Sequence, residues 1–333
     1  SISSLMNSNM FDGKIVLITG GTGSLGSALT KKILKANVKA IRIFSRDEWK
    51  QVQMQSEIKD ERLRFLIGDV RDKERLSRAL EGVDIVIHAA ALKQVPVAEY
   101  NPFEAVKTNV NGAANLIEAC LDNNVGIVLG VGTDKAVSPL NTYGATKLLM
   151  ERLFVTANFY KGDHKVKFLT VRYGNVLGSR GSIVPVFVNQ IQNGKKITIT
   201  DSEMTRFNIT MNDAINLIFR ALENGEGGEI YIPKLKAYKV GDMKDAILEI
   251  MNSKNETEII SVRSGEKYHE SLIIIDELRN TFETEEDYII SAEQNEKLKN
   301  TILDQQYSSD KVELLTKEDL KKILIDNDLI PTK

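Results

Sequence analysis

The chain has 333 residues, of which 42% are hydrophobic, so it is long enough to bury a full core in one large or two unequal domains. Its 44 Lys and Arg residues against 46 Asp and Glu residues give a net charge of -2, which argues against nucleic acid or an anionic membrane as a partner. The single cysteine, Cys120, excludes an internal disulfide and is typical of a buried core position.

The start of the chain, residues 1–10, is a polar extension without the basic and apolar regions of a signal peptide. No apolar run approaches the roughly 20 residues that are needed to cross a bilayer. We therefore expect a soluble, cytoplasmic protein.

The first predicted strand, residues 14–18, is an uninterrupted apolar run of the kind that is buried on both faces of a parallel sheet. It leads into the glycine-rich residues 19–26, which open a predicted helix over residues 24–34. Glycines at such a turn let a pyrophosphate approach the backbone and the helix N-terminus. The turn lacks the Gly-Lys-Ser/Thr ending of a nucleoside-triphosphate loop, which favours a dinucleotide. The residues expected to contact this cofactor are Gly20, Thr22, Gly23, Ser24, Leu25 and Gly26.

The second predicted strand, residues 40–44, is followed by residues that bear on the choice of cofactor. An NAD site usually places an acid here on the ribose 2′-hydroxyl, whereas an NADP site places a small polar residue and a cation on the 2′-phosphate. Ser45 and Arg46, with Lys50 one helical turn later, favour NADP. The alternative stays open, because Asp47 reaches the ribose if the strand ends one residue later.

Two further strands end at the same predicted edge of the sheet. Residues 63–67 lead to Asp69 and Val70, and the Asp69 carboxylate can accept a hydrogen bond from the adenine amino group. Residues 84–88 lead to an alanine turn that contains Ala90 and lets the backbone crowd a cofactor. Lys93 follows this turn and is expected to contact cofactor or substrate. We interpret His88 as a core histidine.

A helical pattern over residues 103–123 contains Asn109, a further expected cofactor contact. The next strand, residues 126–131, leads into Thr133, Asp134 and Lys135. A helix over residues 143–160 then begins with Tyr143 and Lys147, which lie four apart and therefore on one face.

These five residues, Thr133, Asp134, Lys135, Tyr143 and Lys147, bring together the groups that proton transfer needs. Taken alone, the first three are equally typical of a solvated turn with a surface ion pair. Together with the last two and with a dinucleotide loop, they indicate a catalytic site.

A strand over residues 167–172 continues the alternation of strand and helix, which predicts an α/β fold with a Rossmann-type doubly wound parallel sheet. After residue 175 the pattern becomes irregular. We expect an NADP-binding domain of residues 11–175 plus about 208–232. A smaller interleaved α/β domain of about 176–207 plus 233–333 would bind the substrate. The three histidines are too scattered to suggest a metal site.

Ten short motifs carry a resemblance to a known family. They are Thr19-Gly-x-x-Gly-x-x-Gly26, Ser45-Arg-Asp-Glu, Gly68-Asp-Val-Arg-Asp72, Ala89-Ala-Ala-Leu-Lys93, Ala98-Glu-Tyr-Asn-Pro102, Thr133-Asp-Lys-Ala136, Tyr143-Gly-Ala-Thr-Lys147, Arg172-Tyr-Gly-Asn-Val176, Met204-Thr-Arg-Phe207 and Gly265-Glu-Lys-x-His-Glu270. In this order they resemble the inverting UDP-N-acetylglucosamine 4,6-dehydratases of the pseudaminic-acid pathway, within the extended short-chain dehydrogenase/reductase superfamily. The resemblance runs from about residue 11 to about residue 270.

The resemblance implies NADP as cofactor, UDP-N-acetylglucosamine as substrate and a homo-oligomer such as a hexamer. Tyr143 would take the proton of the sugar 4-hydroxyl, with the Lys147 ammonium favouring the phenolate. Lys135 would remove the C5 proton, which requires a lowered pKa. Asp134 would protonate the leaving 6-hydroxyl, which requires a protonated carboxyl, so that these neighbours form a coupled pair. Thr133 would hydrogen-bond the C4 oxygen.

The same resemblance implies a site for the nucleotide sugar in which an arginine fork suits the diphosphate. The expected substrate contacts are Lys93, Lys135, Tyr143, Asn175, Arg206, Arg263 and Glu266. The chain has Gly132 where the family usually has Ser, and Gln94 where many members have His. Both departures bear on the stereochemical outcome at C5.

Three alternatives to an inverting dehydratase are consistent with these residues. A retaining 4,6-dehydratase or a UDP-sugar epimerase would use the same cofactor and the same pair of Tyr143 and Lys147. A non-catalytic dinucleotide sensor with the same fold would need neither side chain. Substitution of Tyr143 by Phe separates this third alternative from the enzymes.

Overall fold

A computed structural model describes residues 9–263 and 265–331 of the chain, so the predicted extension over residues 1–10 lies, apart from its last two residues, outside the described residues. Sixteen strands are present in the described part. They are β1 (Ile15–Thr19), β2 (Ala40–Ser45), β3 (Leu63–Ile67), β4 (Ile85–His88), β5 (Ile127–Val131), β6 (Lys167–Val171), β7 (Ile197–Ile199), β8 (Thr205–Phe207), β9 (Ile230–Pro233), β10 (Ala237–Lys239), β11 (Thr257–Ile259), β12 (Ser271–Ile273), β13 (Thr281–Glu283), β14 (Asp287–Ile290), β15 (Lys299–Asn300) and β16 (Tyr307–Ser308).

The described helices flank these strands, and none of them is long and apolar enough to cross a membrane. The α-helices are α1 (Ser24–Ile33), α2 (Glu48–Glu57), α3 (Lys73–Ala79), α4 (Val95–Tyr100), α5 (Pro102–Ala105), α6 (Gly112–Asp122), α7 (Thr142–Tyr160), α8 (Ile183–Gln192), α9 (Met211–Asn224), α10 (Val240–Ile250) and α11 (Lys317–Asp326). A π-helical segment over Val106–Asn111 and 3-10 turns over Asp134–Ala136 and Ile275–Asn280 complete the set.

Ten strands form one sheet in the order β15-β13-β14-β9-β6-β5-β4-β1-β2-β3. Seven neighbouring strands of this sheet are parallel, namely β3, β2, β1, β4, β5, β6 and β9. Strands β14, β13 and β15 extend the sheet in antiparallel fashion. The strand order reverses between β1 and β4. This is the Rossmann-type doubly wound arrangement that the sequence predicts, and its ligand crevice lies at the reversal.

Strand β1 shows why helices cover both faces of the sheet. Successive side chains of a strand point to opposite faces, and here Val16, Leu17 and Ile18 are all fully buried. Val16 and Ile18 pack in a cluster with residues of α1 and α9, whereas Leu17 packs in a cluster with residues of α6 and α7. Because β1 is apolar on both faces, it is stable only in the centre of three layers.

A smaller region stands beside the carboxyl ends of the strands. Its own apolar cluster joins Phe187 of α8, Met243 of α10 and Leu320 of α11. Two small sheets, β8 with β10 and β7 with β11, belong to this region. The predicted smaller domain over 233–333 differs from the structure at β13, β14 and β15, which join the main sheet. These strands have only two to four residues and carry too little alternation to be assigned from the sequence.

The predicted continuous helix over residues 103–123 is wrong in its middle. The π-helical segment Val106–Asn111 interrupts it and buries Thr108 and Asn109. Such wide turns are frequent at functional sites because they turn side chains that a regular helix would place elsewhere. Here the segment directs the amide of Asn109 toward the loop after β4 and toward α7.

Candidate active site

Three chain segments meet at the reversal of strand order. They are the glycine loop after β1, the alanine turn after β4 and the turn over Thr133–Lys135 after β5. The helix α7 begins beside them and carries Tyr143 and Lys147. The carboxyl ends of parallel strands therefore bring the predicted cofactor loop and the predicted proton-transfer groups to one edge of the sheet.

The glycine loop is packed so closely that side chains are excluded from it. A Cβ atom on Gly20, whose φ is 62°, would lie 2.9 Å from the nitrogen of Ala90, and one on Gly26 would lie 2.4 Å from the oxygen of Gly21. The Thr19 hydroxyl fixes this contact by accepting the N–H groups of Ala89 and Ala90 at 3.1 and 3.2 Å. No side chain caps the N-terminus of α1, which leaves its N–H groups available to a phosphate.

Lys93 lies over this loop. Its Nζ is 3.9 Å from the position that a Cβ atom on Gly23 would take. The side chain is solvent accessible, yet protein atoms crowd its ammonium, and this desolvation together with the charge of Lys50 lowers the pKa of Lys93. An anion bound at the loop would relieve the repulsion between these two lysines, so the charges here fit a pyrophosphate.

The residues after β2 are arranged around α2. Gln51 donates to the Ser45 hydroxyl at 2.9 Å and to the carbonyl of Leu66 at 3.0 Å. Strand β2 ends at Ser45, one residue beyond its predicted end, which is the condition under which Asp47 would reach a ribose. The Asp47 carboxylate instead caps α2 by accepting the N–H of Lys50 at 3.1 Å. Arg46 is exposed over 60% of its side chain, and its nearest carboxylate is that of Asp69 at 3.9 Å.

Asp134 and Lys135 form a nearly buried ion pair. The Lys135 ammonium donates to the Asp134 carboxylate, with Nζ 3.1 Å from Oδ1. The Asp134 N–H donates to the carbonyl of Tyr173 at 3.0 Å, and a Cβ atom on Gly174 would lie 2.6 Å from Asp134 Oδ2. Gly174 therefore leaves the space that the Asp134 carboxylate occupies.

The predicted lowering of the Lys135 pKa is wrong for the ligand-free protein. Burial does disfavour the ammonium, but the carboxylates of Asp134 and Glu270 outweigh it and raise the pKa of Lys135 above its usual value. Glu270 Oε1 lies 4.0 Å from Lys135 Nζ. The resting site thus holds a charged lysine between two carboxylates.

Tyr143 and Lys147 are both buried, and their electrostatics also differ from the prediction. Burial raises the pKa of Tyr143, although Lys135 and a hydrogen bond with Thr133 oppose this shift. Burial, followed by the charge of Lys93, lowers the pKa of Lys147 to about 7, and its Nζ lies 2.8 Å from the carbonyl oxygen of Val131. In the ligand-free protein the charge of Lys135 works to lower the pKa of the phenol.

Asn109 connects two parts of the site. Its Nδ2 donates to Thr146 Oγ1 at 3.0 Å and to the carbonyl of Leu92 at 3.3 Å, and its Oδ1 accepts the N–H of Leu92 at 2.9 Å. These bonds use the whole amide. Asn109 thereby holds the loop that precedes Lys93 against α7, and its amide faces protein groups on both sides.

A cleft of about 310 Å³ opens above the ion pair, between the sheet edge and the smaller region. Five of the predicted substrate contacts line it, whereas Lys93 and Tyr143 are not among its lining residues. The five are Lys135, Asn175, Arg206, Arg263 and Glu266.

One loop of the smaller region is tied to the catalytic turn across this cleft. Lys267 donates to the carbonyl of Val137 at 2.5 Å, and Asn141, which caps α7, donates to the carbonyl of Gly265 at 3.2 Å. The loop thus fixes the distance between the ion pair and the wall that carries Arg206.

The sequence analysis missed two residues of this site. Glu270 contacts both Lys135 and Arg206 and stands at the end of a motif that was quoted, yet it received no role. Tyr173 adjoins Tyr143, and burial raises the pKa of its phenol above the usual range. Glu270 and Tyr173 each lie in a motif that was quoted. The residues that they contact are distant in the sequence, so the motifs alone gave no signal of their position in the site. Among the described residues, no group of three or more His, Cys, Asp and Glu side chains is arranged to hold a metal ion.

Several known proteins are similar to this chain over most of its length. A family model described as polysaccharide biosynthesis protein matches residues 16–292. A UDP-N-acetylglucosamine 4,6-dehydratase (inverting) of Campylobacter jejuni is 50% identical over 285 residues, covering 85% of this chain and 84% of that protein.

Other relatives carry different descriptions. A UDP-glucose 4-epimerase of Rickettsia rickettsii is 40% identical over 334 residues, covering 96% of this chain and 98% of that protein. An uncharacterized membrane protein of Methanocaldococcus jannaschii is 45% identical over 324 residues, covering 95% and 97%. Among solved structures, Pen from Bacillus thuringiensis has a TM-score of 0.91 and 40% identity, covering 96% of this chain and 99% of that one.

Proposed function

The chain belongs to the family described as polysaccharide biosynthesis proteins, and from this premise we propose that it dehydrates UDP-N-acetylglucosamine across C5 and C6 with NADP as cofactor. The single observation that carries the proposal is the buried pair of Asp134 and Lys135, which lines a cleft and acts on the phenol of Tyr143. An elimination needs a base and an acid that act on neighbouring carbon atoms, and this pair supplies both.

The glycine loop, the N-terminus of α1 and Lys93 would hold the cofactor's pyrophosphate. Their fit is supported by the excluded side chains at Gly20 and Gly26 and by the position of Lys93 Nζ above Gly23. When bound, the cofactor supplies the redox chemistry, in which a hydride is taken from C4 of the sugar and later returned to C6.

NADP is favoured over NAD by what surrounds the end of β2. The Asp47 carboxylate already accepts the N–H of Lys50 in the first turn of α2, so it is a poor partner for a ribose hydroxyl. Arg46 is exposed and loosely paired, and a guanidinium fork suits a 2′-phosphate. Ser45 is small enough to leave the phosphate room.

Tyr143 would accept the proton of the sugar 4-hydroxyl. Its phenol must first be deprotonated, and two neighbours favour this, since the Lys135 charge and the hydrogen bond with Thr133 both work to lower its pKa. Thr133 would also donate to the C4 oxygen as that oxygen becomes a carbonyl. The C4 ketone then makes the C5 proton acidic.

Asp134 and Lys135 would carry out the elimination with the one proton that they share. Transfer of this proton across the 3.1 Å contact breaks an Nζ–H bond and forms an Oδ1–H bond, and the nitrogen keeps the electron pair. The products of this transfer are a neutral amine, which removes the C5 proton, and a protonated carboxyl, which donates to the leaving 6-hydroxyl. No proton has to come from outside the pair.

Arg206, Arg263, Glu266 and Asn175 would bind the UDP portion of the substrate. The proposal is supported by their common position in the cleft and by the two arginines, which suit a diphosphate. Arg206 is held by Glu266 at 3.6 Å and by Glu270 at 3.8 Å, so its guanidinium is oriented before a ligand arrives.

We further propose that C5 is inverted, so that the product is a UDP-2-acetamido-2,6-dideoxy-hexos-4-ulose used for a surface glycan of the pseudaminic acid type. The support is the description of the 50% identical relative as inverting, together with the description of the family.

A homo-oligomer is also part of the proposal. Large apolar side chains are exposed on neighbouring helices, among them Tyr100, Phe103, Leu149 and Phe159. Exposed apolar surface of this extent usually marks an interface. Light scattering on the purified protein at micromolar concentration tests this point, and a monomer mass would contradict it.

Incubation of the purified protein with UDP-N-acetylglucosamine and NADP in deuterium oxide tests the main proposal. We expect a product that has lost one water, carries deuterium at C5 and shows the NMR ring couplings of the inverted configuration. If mass spectrometry detects no loss of water, the proposed reaction is wrong. If water is lost and the couplings match the retained configuration, only the proposed inversion is wrong.

A UDP-sugar epimerase is the second candidate, because a relative with 40% identity is described as one. An epimerase would interconvert the C4 isomers without a change in mass and without deuterium at C5. The buried pair of Asp134 and Lys135 favours the dehydratase. Epimerisation at C4 breaks no bond at C5 or C6 and therefore needs no acid and base there.

A further inference from the structure

Glu270 is a buried carboxyl at the centre of the cleft that has no role in the proposed reaction so far. It is 4% exposed, and its Oε1 lies 4.0 Å from Lys135 Nζ and 3.8 Å from Arg206 Nε. Ser309 fixes its backbone, because the Glu270 N–H donates to Ser309 Oγ at 2.9 Å and the Ser309 N–H donates to the Glu270 carbonyl at 2.8 Å. The carboxyl therefore stands between the proposed base and the proposed diphosphate site.

The carboxyl of Glu270 is poorly satisfied as an anion. Its Oε2 is buried and has no hydrogen-bond partner within the part of the chain that the structure describes. Its two contacts to cations are longer than hydrogen bonds. A buried carboxylate that lacks donors costs free energy, whereas the neutral acid is much less costly to bury.

Charged groups from every neighbouring element act on this carboxyl. Burial and then the Asp134 carboxylate raise the pKa of Glu270, while Lys135, Arg206 and Lys267 oppose the increase. The phenol of Tyr238, on β10, also faces the same group of charges. The charge of Glu270 thus depends on three cations, and one of them, Arg206, is a proposed ligand of the substrate.

We propose that Glu270 is a positioning residue that sets the protonation state of Lys135, and that it takes up a proton from solvent when an anionic group of the ligand binds Arg206. The inference rests on the proposed function of the cleft. A diphosphate at Arg206 takes over the guanidinium that stabilises the Glu270 carboxylate and adds negative charge beside it. Both changes favour the neutral acid.

The neutral form of Glu270 is what the elimination needs. A charged Glu270 stabilises the Lys135 ammonium and so opposes proton transfer from Lys135 to Asp134. Once Glu270 is neutral, Asp134 is the remaining one of the two carboxylates that stabilise the ammonium, and the transfer within the pair becomes easier. Binding of the nucleotide diphosphate therefore prepares the base, and the ligand-free protein keeps Lys135 charged.

The first test measures proton uptake on binding of UDP, which contains the diphosphate and lacks the sugar. Calorimetric titrations at pH 8 in two buffers with different ionisation enthalpies give the number of protons bound. We expect uptake approaching one proton for the wild type and none for Glu270→Gln. The matched variant is Glu266→Gln, which also loses a contact to Arg206 but is not among the charges that shift the pKa of Lys135. It should bind UDP more weakly and keep the uptake.

The second test is the pH profile of kcat for dehydration. In the wild type kcat should fall by about tenfold per pH unit above the pKa of Glu270 in the complex, because the ionised carboxyl holds Lys135 charged. Glu270→Gln should lack this alkaline decrease, and Glu270→Asp should show it again, at a pH shifted from that of the wild type. A structural role alone would lower kcat at every pH and leave the shape of the profile unchanged.

The outcomes separate this inference from the proposed function. Equal proton uptake by the wild type and Glu270→Gln overturns the role of Glu270, as does an unchanged alkaline decrease. If Glu270→Gln does not fold, Glu270→Asp provides the test. A decrease in its kcat at the same alkaline pH as in the wild type overturns the role of Glu270. Proton uptake without any loss of water from UDP-N-acetylglucosamine overturns the proposed function alone. A wild-type protein that does not bind UDP overturns both.

Discussion

Lys135 Nζ lies 3.1 Å from Asp134 Oδ1, and the two side chains are only 19% and 3% exposed. A pair this deeply buried usually loses more in desolvation than it gains in attraction unless further groups support it. Glu270 supports the ammonium at 4.0 Å, and the Tyr173 carbonyl holds the backbone of Asp134. Asp134 and Lys135, which are adjacent in the sequence, are thus an acid and a base that share one proton.

The two members of this pair should be separable by mutation. In Asp134→Asn the acid is lost, and Lys135 must release its proton to solvent, which the loss of the neighbouring negative charge favours. Dehydration should fall about 10²- to 10⁴-fold. Removal of the C5 proton should continue, and substrate recovered from deuterium oxide should carry deuterium at C5. In Lys135→Met both deuterium uptake and dehydration should be lost, while the fold is kept.

Mass spectrometry of the recovered sugar nucleotide measures both events in one sample. Loss of water by Asp134→Asn at close to the wild-type rate would show that another group protonates the leaving hydroxyl. Deuterium at C5 in Lys135→Met would show that another group is the base.

Substitution of Arg46 should change the choice of cofactor. Its guanidinium is 60% exposed and 3.9 Å from the nearest carboxylate, so it is free to bind a 2′-phosphate. Arg46→Ala should weaken NADP binding by about tenfold or more, which is ~1.4 kcal/mol, and leave NAD binding within about twofold. Fluorescence titration of both cofactors gives the ratio.

Asp47 provides the matched control for this prediction. Its carboxylate caps α2, so Asp47→Ala should lower the free energy of unfolding by about 1 kcal/mol and leave the ratio of NADP to NAD affinity unchanged. A ratio that moves toward NADP in Asp47→Ala would instead identify Asp47 as a ligand of the ribose.

The parts of the fold that the sequence predicts well are those whose signals are local. The apolar run of β1, the glycine turn and α1 follow one another directly, and each is recognised by its own composition. The spacing of Tyr143 and Lys147 places both on one helix face without any knowledge of tertiary structure. The expected cofactor loop and catalytic turn therefore lie at one edge of the sheet.

The charges of the site were predicted poorly, because they depend on contacts between distant segments. Glu270 reaches Lys135 only through the packing of the smaller region, and together with Asp134 it outweighs burial and raises the pKa of Lys135. Lys147 is deprived of water by burial and repelled by Lys93, so it is not the permanent ammonium that the motif suggests. Such effects follow from burial, which a single sequence does not show.

Gly132 departs from the family pattern, and its surroundings predict that the usual serine is not tolerated. A Cβ atom at this position would lie 2.5 Å from the carbonyl oxygen of Val171, which belongs to the neighbouring strand β6. Gly132→Ser should therefore cost about 1–3 kcal/mol of stability and displace Thr133, with a matching loss of activity. Urea denaturation measures the first effect. Unchanged stability together with raised activity would show that the turn adapts to the serine.

Lys147 makes the ligand-free protein less stable in a way that depends on pH. Its pKa is about 7 in the folded chain and 10.5 in the reference state, so between these values the unfolded chain binds more protons than the folded one. Stability contributed by this site therefore rises with pH over that interval, and the full penalty of burying the charged ammonium is present below pH 7. Each pKa unit corresponds to about 1.4 kcal/mol.

Replacement of Lys147 by methionine should remove this penalty together with the catalytic function. Lys147→Met should be more stable than the wild type at pH 7, and its advantage should shrink by about 2 kcal/mol between pH 7 and pH 9 as the wild type gains stability. Urea denaturation of both proteins without cofactor at several pH values measures the difference. Lys31→Met, an exposed lysine in the last turn of α1, is the matched control and should show a constant difference. A constant difference for Lys147→Met as well would mean that Lys147 stays charged in the folded protein.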